Sequence, residues 1–297
     1  MNSAAQSVAE RLTGGLVPAV PVPFHGDAIA KDAQRQYAAW MATQPVAGVA
    51  VWAHTGRGPY LDGTQRRFVL ESWRKALPGG VIVAGARDAA MAHDARAGGA
   101  DALLAFPSAA DPVEHHRTLA GELPVIAFYL YRAAGGADYD DDTLHEILEL
   151  PGVLGIKVAT LDSVMTYQRI AAVMRAHPDK LLITGEDRFL GYSLMLGARA
   201  ALIGMGAALC GLQAELLRSV ADARWNDFQH LSRLCDELSQ ATFIEPMEGY
   251  IRRMLWALAE DGVIPEDCCE DPWGPALDPT ERDAVRRAVQ NAHAARP

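Results

Sequence analysis

Only four of the 27 basic residues are lysines, Lys31, Lys75, Lys157 and Lys180, and one of them is out of place. Lys157 lies in the apolar, strand-like run Val153-Leu154-Gly155-Ile156-Lys157-Val158-Ala159, whereas the other three stand in helix ends or polar turns. Period-two alternation puts Val153, Gly155 and Lys157 on one strand face and Leu154, Ile156 and Val158 on the other, with the small face of Gly155 turned to the interior. Burial lowers the pKa of a lysine because the ammonium loses its hydration, and the neutral amine is a nucleophile. Such an amine can attack a ketone and form an imine whose protonated nitrogen draws electrons from the neighbouring carbon, so C–C bonds there can break or form. The competing reading is a strand lysine whose head reaches the open end of the fold and pairs with Glu186 or Asp187.

Two further segments carry groups that could serve such an amine. In Val125-Ile126-Ala127-Phe128-Tyr129-Leu130-Tyr131, positions 125, 127, 129 and 131 share a face, so one or both tyrosines point inward and a phenol there could shuttle protons. The competing reading is packing with a satisfied hydroxyl. In Ala53-His54-Thr55-Gly56-Arg57-Gly58, glycines allow a tight turn that presents N–H groups, with Thr55 and His54 as added donors, so the turn could hold a carboxylate or be an ordinary loop.

Eight β-prone runs recur, at 16–24, 47–54, 81–86, 101–106, 124–131, 153–159, 181–186 and 200–205, and helical spacing fills the stretches between them. Strand–helix alternation with continuously apolar strands predicts a parallel sheet covered on both faces, and eight units predict a closed (β/α)8 TIM barrel, an α/β fold. Lysine near the C-terminal end of a barrel strand is where groups of an active site stand in this architecture. The open-sheet rival lacks its dinucleotide fingerprint, since Gly204-Met205-Gly206-Ala207-Ala208-Leu209 has no third glycine in place. After residue 208 the strand signals stop and helices are expected near 209–222, 224–242, 246–260 and 279–294. The expected division is therefore a barrel core over 1–208, then the last barrel helix and a C-terminal helical extension over 209–297. The stretch Asp267 to Pro275 reads as a surface loop.

With 297 residues, half of them apolar, 22% charged and a net charge of −10, the chain is that of a compact protein that repels phosphate backbones and anionic lipid. Nucleic acid and membrane are excluded as expected partners. Four cysteines without CxxC spacing, and an N-terminus without a signal peptide, point to the cytoplasm. His115 and His116 are adjacent and no HxH ends an early strand, so no metal site is expected.

These segments, in this order, resemble the dihydrodipicolinate synthase and N-acetylneuraminate lyase family, class I aldolase-like barrels. His54-Thr55-Gly56 stands where the family has Thr-Thr-Gly-Glu, and Phe128-Tyr129 where Leu-Tyr precedes Asn-x-Pro. Gly155-Ile156-Lys157-Val158-Ala159-Thr160 resembles Gly-Ile-Lys-Glu-Ala-Thr, Gly185-Glu186-Asp187 resembles Gly-Asp-Asp, and Phe243-Ile244-Glu245-Pro246 resembles Phe-x-Glu-Pro. The resemblance implies Lys157 as the imine-forming residue, Tyr129 as the proton-transfer tyrosine and His54 at the relay position. It also implies Thr55, Gly56, Gly185 and Ile203 as substrate-binding positions, no cofactor, and a homo-oligomer, dimer or tetramer. Departures are equally specific: His54 replaces a threonine, Arg57 a glutamate, Pro107-Ser108-Ala109 a Pro-Tyr-Tyr, and Ala134 the arginine expected after the tyrosine, with Arg132 out of register. The function implied is a Schiff-base lyase, aldolase or dehydratase, acting on pyruvate or another 2-oxo acid. The alternatives are an authentic 4-hydroxy-tetrahydrodipicolinate synthase with an altered site, and a barrel that binds a small acid as a sensor without catalysis.

Overall fold

The computed structural model describes residues 1–295. Eight strands form one parallel sheet: β1 (Leu16–Pro18), β2 (Gly48–Val51), β3 (Val81–Ala86), β4 (Ala102–Ala105), β5 (Val125–Leu130), β6 (Val153–Ala159), β7 (Leu181–Thr184) and β8 (Ala200–Ile203). From β2 to β8 each strand pairs with the next in sequence, and β1 pairs with β8. The remaining edge closes through an Ala19–Ala50 bridge, where the Val20 N–H donates to the Ala50 carbonyl at 3.1 Å. The strands are shorter than the expected runs because each run's ends turn into loops at the barrel rims.

Helices α2 (Lys31–Met41), α3 (Gly63–Ala76), α4 (Ala89–Ala97), α5 (Pro112–Ala120), α6 (Asp141–Glu149), α7 (Val164–Met174), α8 (Leu190–Met195) and α9 (Cys210–Ala221) follow the strands in turn. Several start where a side chain satisfies the first free N–H groups: Asp62 and Gln65 form a capping box on α3, while Asp88, Asp111 and Asp140 cap α4, α5 and α6. A helix unread in the sequence, α1 (Ser3–Leu12), is capped by Asn2 and buries Ala5, Val8, Ala9 and Leu12. It packs with Val17, Val81 and Leu181 of the barrel interior and so plugs the N-terminal mouth. Helices α10 (Trp225–Thr242), α11 (Tyr250–Glu260) and α12 (Glu281–Ala294) follow. The third expected C-terminal helix begins four residues late, since 247–249 form a separate 3₁₀ turn after Pro246.

Strand alternation divides the core into two shells. Ile126, Phe128, Leu130, Leu154, Ala159 and Ile183 belong to the interior, while Val125, Ala127, Tyr129, Val153, Ile156, Val158 and Ile203 pack outward with the helices. Between β5 and β6 the register slips: Val125 is opposite Val153 but Ile126 is opposite Gly155. Leu154 is the extra residue of a bulge, which sends Val153 outward and Leu154 inward and reverses the faces expected for those two positions. From Gly155 onward the alternation holds, and Lys157 faces the interior, with its Nζ 4.3 Å from the centroid of the Phe128 ring.

Candidate active site

Lys157 is 5% exposed and stands two residues from the C-terminal end of β6. Burial pulls its ammonium below the ordinary lysine range, against the opposing charges of Asp187 and Glu186. Asp187, beyond the end of β7, is pushed up by burial, against a 2.6 Å hydrogen bond from the Met205 N–H and the charge of Lys157. Glu186 is committed elsewhere. It accepts the Thr160 and Leu161 N–H groups at 2.7 and 2.8 Å and the Thr160 hydroxyl at 2.9 Å, and burial pushes it up to about 7. Gly185 makes room for the lysine, because a Cβ there would come within 2.5 Å of Lys157 Cε and 2.9 Å of Ala159 Cβ.

Thr55 and Tyr250 form the opposite wall, with 2.9 Å between their hydroxyl oxygens. The cavity they share with Lys157, Asp187, Tyr131 and Gly204 is about 20 Å³, room for about one water molecule. Leu130, Tyr131 and Leu161 line both this cavity and a cleft of about 390 Å³ that Thr160, Asp162, Ser163 and Met247 help to line. A larger cleft of about 600 Å³ between α8 and α10 holds no comparable constellation. Its one thiol, Cys235, is pushed up to about 12 by burial and is inert as a nucleophile.

Tyr131 and Tyr129 part company at the end of β5. Tyr129 faces outward, its hydroxyl 3.3 Å from Asp138 Oδ1 and 3.4 Å from Arg169 Nη2, and it lies off the lysine cavity. The expectation that Tyr129 faces Lys157 is therefore corrected, and the interior position beside the lysine belongs to Phe128. Tyr131 follows the last strand residue and opens a 3₁₀ turn over 132–134, so strand alternation no longer governs it. Its hydroxyl donates to Glu248 Oε1 at 2.5 Å.

Glu248, in the 3₁₀ turn ahead of α11, gathers the other groups at the mouth. His54 Nε2 donates to it, 2.9 Å from each carboxylate oxygen, and lies 3.5 Å from the Tyr131 hydroxyl. Arg57 Nη1 donates to Glu248 Oε2 at 3.0 Å, while its Nε and Nη2 bind Asp271 at 3.1 and 2.7 Å. Burial opposes the charge of Glu248, but hydrogen bonds from His54 and Tyr131 and the charge of Arg57 hold it down to about 2. Burial pushes the phenols of Tyr131 and Tyr250 up, and Glu248 pushes both further. The turn itself is held by the fully buried Arg253 of α11, whose Nη1 donates to the Ile244 carbonyl at 2.8 Å and whose Nε binds Glu281 at 2.6 Å.

Lys157, Thr55, Gly185, His54 and Tyr131 thus come together; other expected positions do not. Ile203 packs in the outer shell, and Gly204 after it lines the cavity. Gly56 is off the cavity, with its N–H donated to the Ala53 carbonyl, and the N–H groups of Arg57 and Gly58 are taken by His54 and Ala53 carbonyls. These three N–H groups are committed inside the turn. The stretch read as a surface loop supplies Asp271, 4% exposed, and packs Trp273 edge-on to Phe24 and stacked on Tyr60. Glu248, Tyr250 and Asp271 escaped sequence reasoning. Only the nearness of Glu248 and Tyr250 to Phe243-Ile244-Glu245-Pro246 marked the first two.

The profile of the dihydrodipicolinate synthetase family matches residues 12–292. The chain belongs to this family. Its members are Schiff-base lyases acting on pyruvate through an active-site lysine, and the protein is an enzyme of that class. The chain is 26% identical over 252 residues to a 4-hydroxy-tetrahydrodipicolinate synthase of Anaplasma marginale (strain Florida), covering 78% of this chain and 81% of the relative. It is 25% identical over 283 residues to an N-acetylneuraminate lyase of Enterobacter sp. (strain 638), covering 89% and 92%. The solved wild-type sialic acid aldolase of Ruminococcus gnavus superposes with a TM-score of 0.82 at 19% identity, over 96% of this chain and 98% of that one, and shares the fold.

Proposed function

We propose that Lys157 forms the Schiff base with C2 of pyruvate or another 2-oxo acid and that the protein makes or breaks a bond at C3, as an aldolase or dehydratase. The observation that carries this reading is an interior lysine, desolvated and beside Asp187, in a cavity at the C-terminal end of the barrel. The neutral amine attacks C2, the carbonyl oxygen takes up a proton, and water leaves to give the protonated imine. Its nitrogen then accepts the electron pair released when a C3 bond breaks, and the resulting enamine returns the pair when C3 takes its new partner.

Thr55 holds the substrate carboxylate through its hydroxyl, and Tyr131, with His54 behind it, moves the protons. Tyr129 lines the neighbouring cleft but not the lysine cavity, and with its hydroxyl on Asp138 and Arg169 it has no proton-transfer part in that reading. A 2-oxo acid is larger than the 20 Å³ cavity, so its entry moves the Tyr131 or Leu161 side chain and joins the cavity to the neighbouring cleft. The same reading places the protein in the cytoplasm as a homo-oligomer, dimer or tetramer. Supporting observations are the buried thiols of Cys235, Cys268 and Cys269 and the exposed apolar side chains of Met165, Met195 and Trp225. Among the described residues no helix is long and apolar enough to cross a membrane.

Borohydride reduction in the presence of a panel of 2-oxo acids, followed by intact-mass measurement and peptide mapping, tests the proposal. An adduct at Lys157 that disappears in Lys157→Ala is expected. An adduct on Lys75 or Lys180 with Lys157 unmodified, or none with any acid, overturns it.

A further inference from the structure

We propose that Glu248 is the positioning residue through which Tyr131 exchanges protons, so that the turn ahead of α11, outside the β/α repeat, completes the acid–base apparatus of the lysine site. This rests on the Schiff-base reading and goes beyond it by assigning a proton acceptor.

The Tyr131 hydroxyl donates to Glu248 Oε1, 2.5 Å from the phenol oxygen, and Glu248 is not part of the cavity lining. Tyr131 lines the cavity, so its remaining lone pair is available to a bound substrate, and a phenol that donates to a carboxylate is a better proton acceptor at its oxygen. When C3 of the imine is deprotonated, its proton passes to the Tyr131 oxygen while the Tyr131 hydroxyl proton passes to Glu248. The C3–H electron pair becomes the C2–C3 double bond, and the C2–N π pair moves onto nitrogen. Reversal returns both protons, and no other reactant is required.

The surroundings of Glu248 suit this exchange. His54 Nε2 and Arg57 Nη1 donate to the carboxylate, which keeps it unprotonated between transfers at some loss of basicity. Arg57 is itself held by two bonds to the buried Asp271, which fixes the fork while one Glu248 oxygen changes partner. A carboxylate held this far down keeps a proton only briefly, and Tyr131 is recharged for the return transfer.

The test compares the full-length protein with Glu248→Gln and Glu248→Asp, using pyruvate as the probe in two assays: borohydride trapping at Lys157 and loss of C3 protons in D₂O followed by NMR. The amide keeps an oxygen for the Tyr131 hydroxyl but cannot take its proton, so a purely structural acceptor would survive the exchange to glutamine. The expectation is that all three proteins trap the imine, that Glu248→Gln exchanges C3 protons about 10²- to 10⁴-fold more slowly, and that Glu248→Asp stays within roughly tenfold of the parent. A Glu248→Gln protein that traps the imine and exchanges at nearly the parent rate overturns the proposal, as does a parent that traps pyruvate and exchanges nothing. A parent that traps no imine overturns the Schiff-base reading, and this inference with it. Should the glutamine variant lose trapping through a collapsed mouth, Glu248→Ala with added formate decides: restored exchange supports the role and its absence overturns it.

Discussion

Two opposing effects meet at the lysine amine. Desolvation favours the neutral nucleophile, and the Asp187 carboxylate favours the ammonium, with desolvation the larger. The reactive form is the neutral amine, so imine formation with pyruvate should rise with pH as the ammonium loses its proton. Its midpoint should lie below the ordinary lysine value of about 10.4. Asp187→Asn removes the charge that stabilises the ammonium, and the midpoint should fall by about one to three pH units. Trapping rates measured from acid to alkaline pH check this; a midpoint that stays in place or rises means that Asp187 does not govern the amine. The close approach of Gly185 to Lys157 Cε belongs to the same scale, since a methyl group there would occupy the position of the lysine stem.

Strand ends decide which tyrosine serves that lysine. Within β5 the alternation is regular, and it sends Phe128 inward and Tyr129 outward. The strand stops at Leu130, and Tyr131 takes an extended conformation leading into the 3₁₀ turn, which lays its ring over the mouth. Tyr131→Phe should slow C3 proton exchange by about two to four orders of magnitude while leaving imine trapping intact. Tyr129→Phe should leave exchange within about threefold of the parent, because its hydroxyl meets Asp138 and Arg169 outside the barrel. Steady-state exchange rates of the two variants separate the assignments, and the reverse order of effects would mean that the inward face of β5 is the other one. A bulge does the corresponding work on β6: slipping one residue at Leu154 sets the face of the whole segment from Gly155 to Ala159.

Over the whole chain, the mouth of the barrel is tied by residues far apart in sequence. Arg57 and Asp271, separated by 214 positions, form a bidentate pair and are both 4% exposed. Removing Arg57 leaves the buried Asp271 without its partner, and removing Asp271 leaves Arg57 with Glu248 alone. Arg57→Ala or Asp271→Ala should each cost about 3–5 kcal/mol of stability. The paired replacement Arg57→Met with Asp271→Leu should cost less than the sum, since neither member of the pair is left charged and Glu248 keeps its bonds from His54 and Tyr131. Denaturant unfolding of the three variants, followed by far-UV and near-UV circular dichroism together, measures the costs. Coincident transitions are expected because the pair joins the second β/α loop to the C-terminal stretch, and separate transitions would show that residues 209–297 unfold independently.

Composition and periodicity by themselves determined the eight β/α units, the helices after residue 208 and the inward placement of Lys157. Those features depend on apolar patterning within ten or so neighbouring residues, and local sequence carries that information. The ordered segments from His54-Thr55-Gly56 through Gly155-Ile156-Lys157 to Phe243-Ile244-Glu245-Pro246 likewise made the family legible. The tyrosine, the proton acceptor and the fastening of the mouth were decided only in three dimensions. Alternation parity is lost wherever a strand bulges or ends, as at Leu154 and Tyr131, and short-range pattern does not mark those points. Glu248 and Asp271 look like surface acids in the sequence, 194 and 214 residues from the His54 and Arg57 side chains that they meet. The burial of Asp271 and the contacts of Glu248 follow from the packing of the C-terminal segment against the second β/α loop, a contact between segments whose separation in the chain leaves no periodic trace.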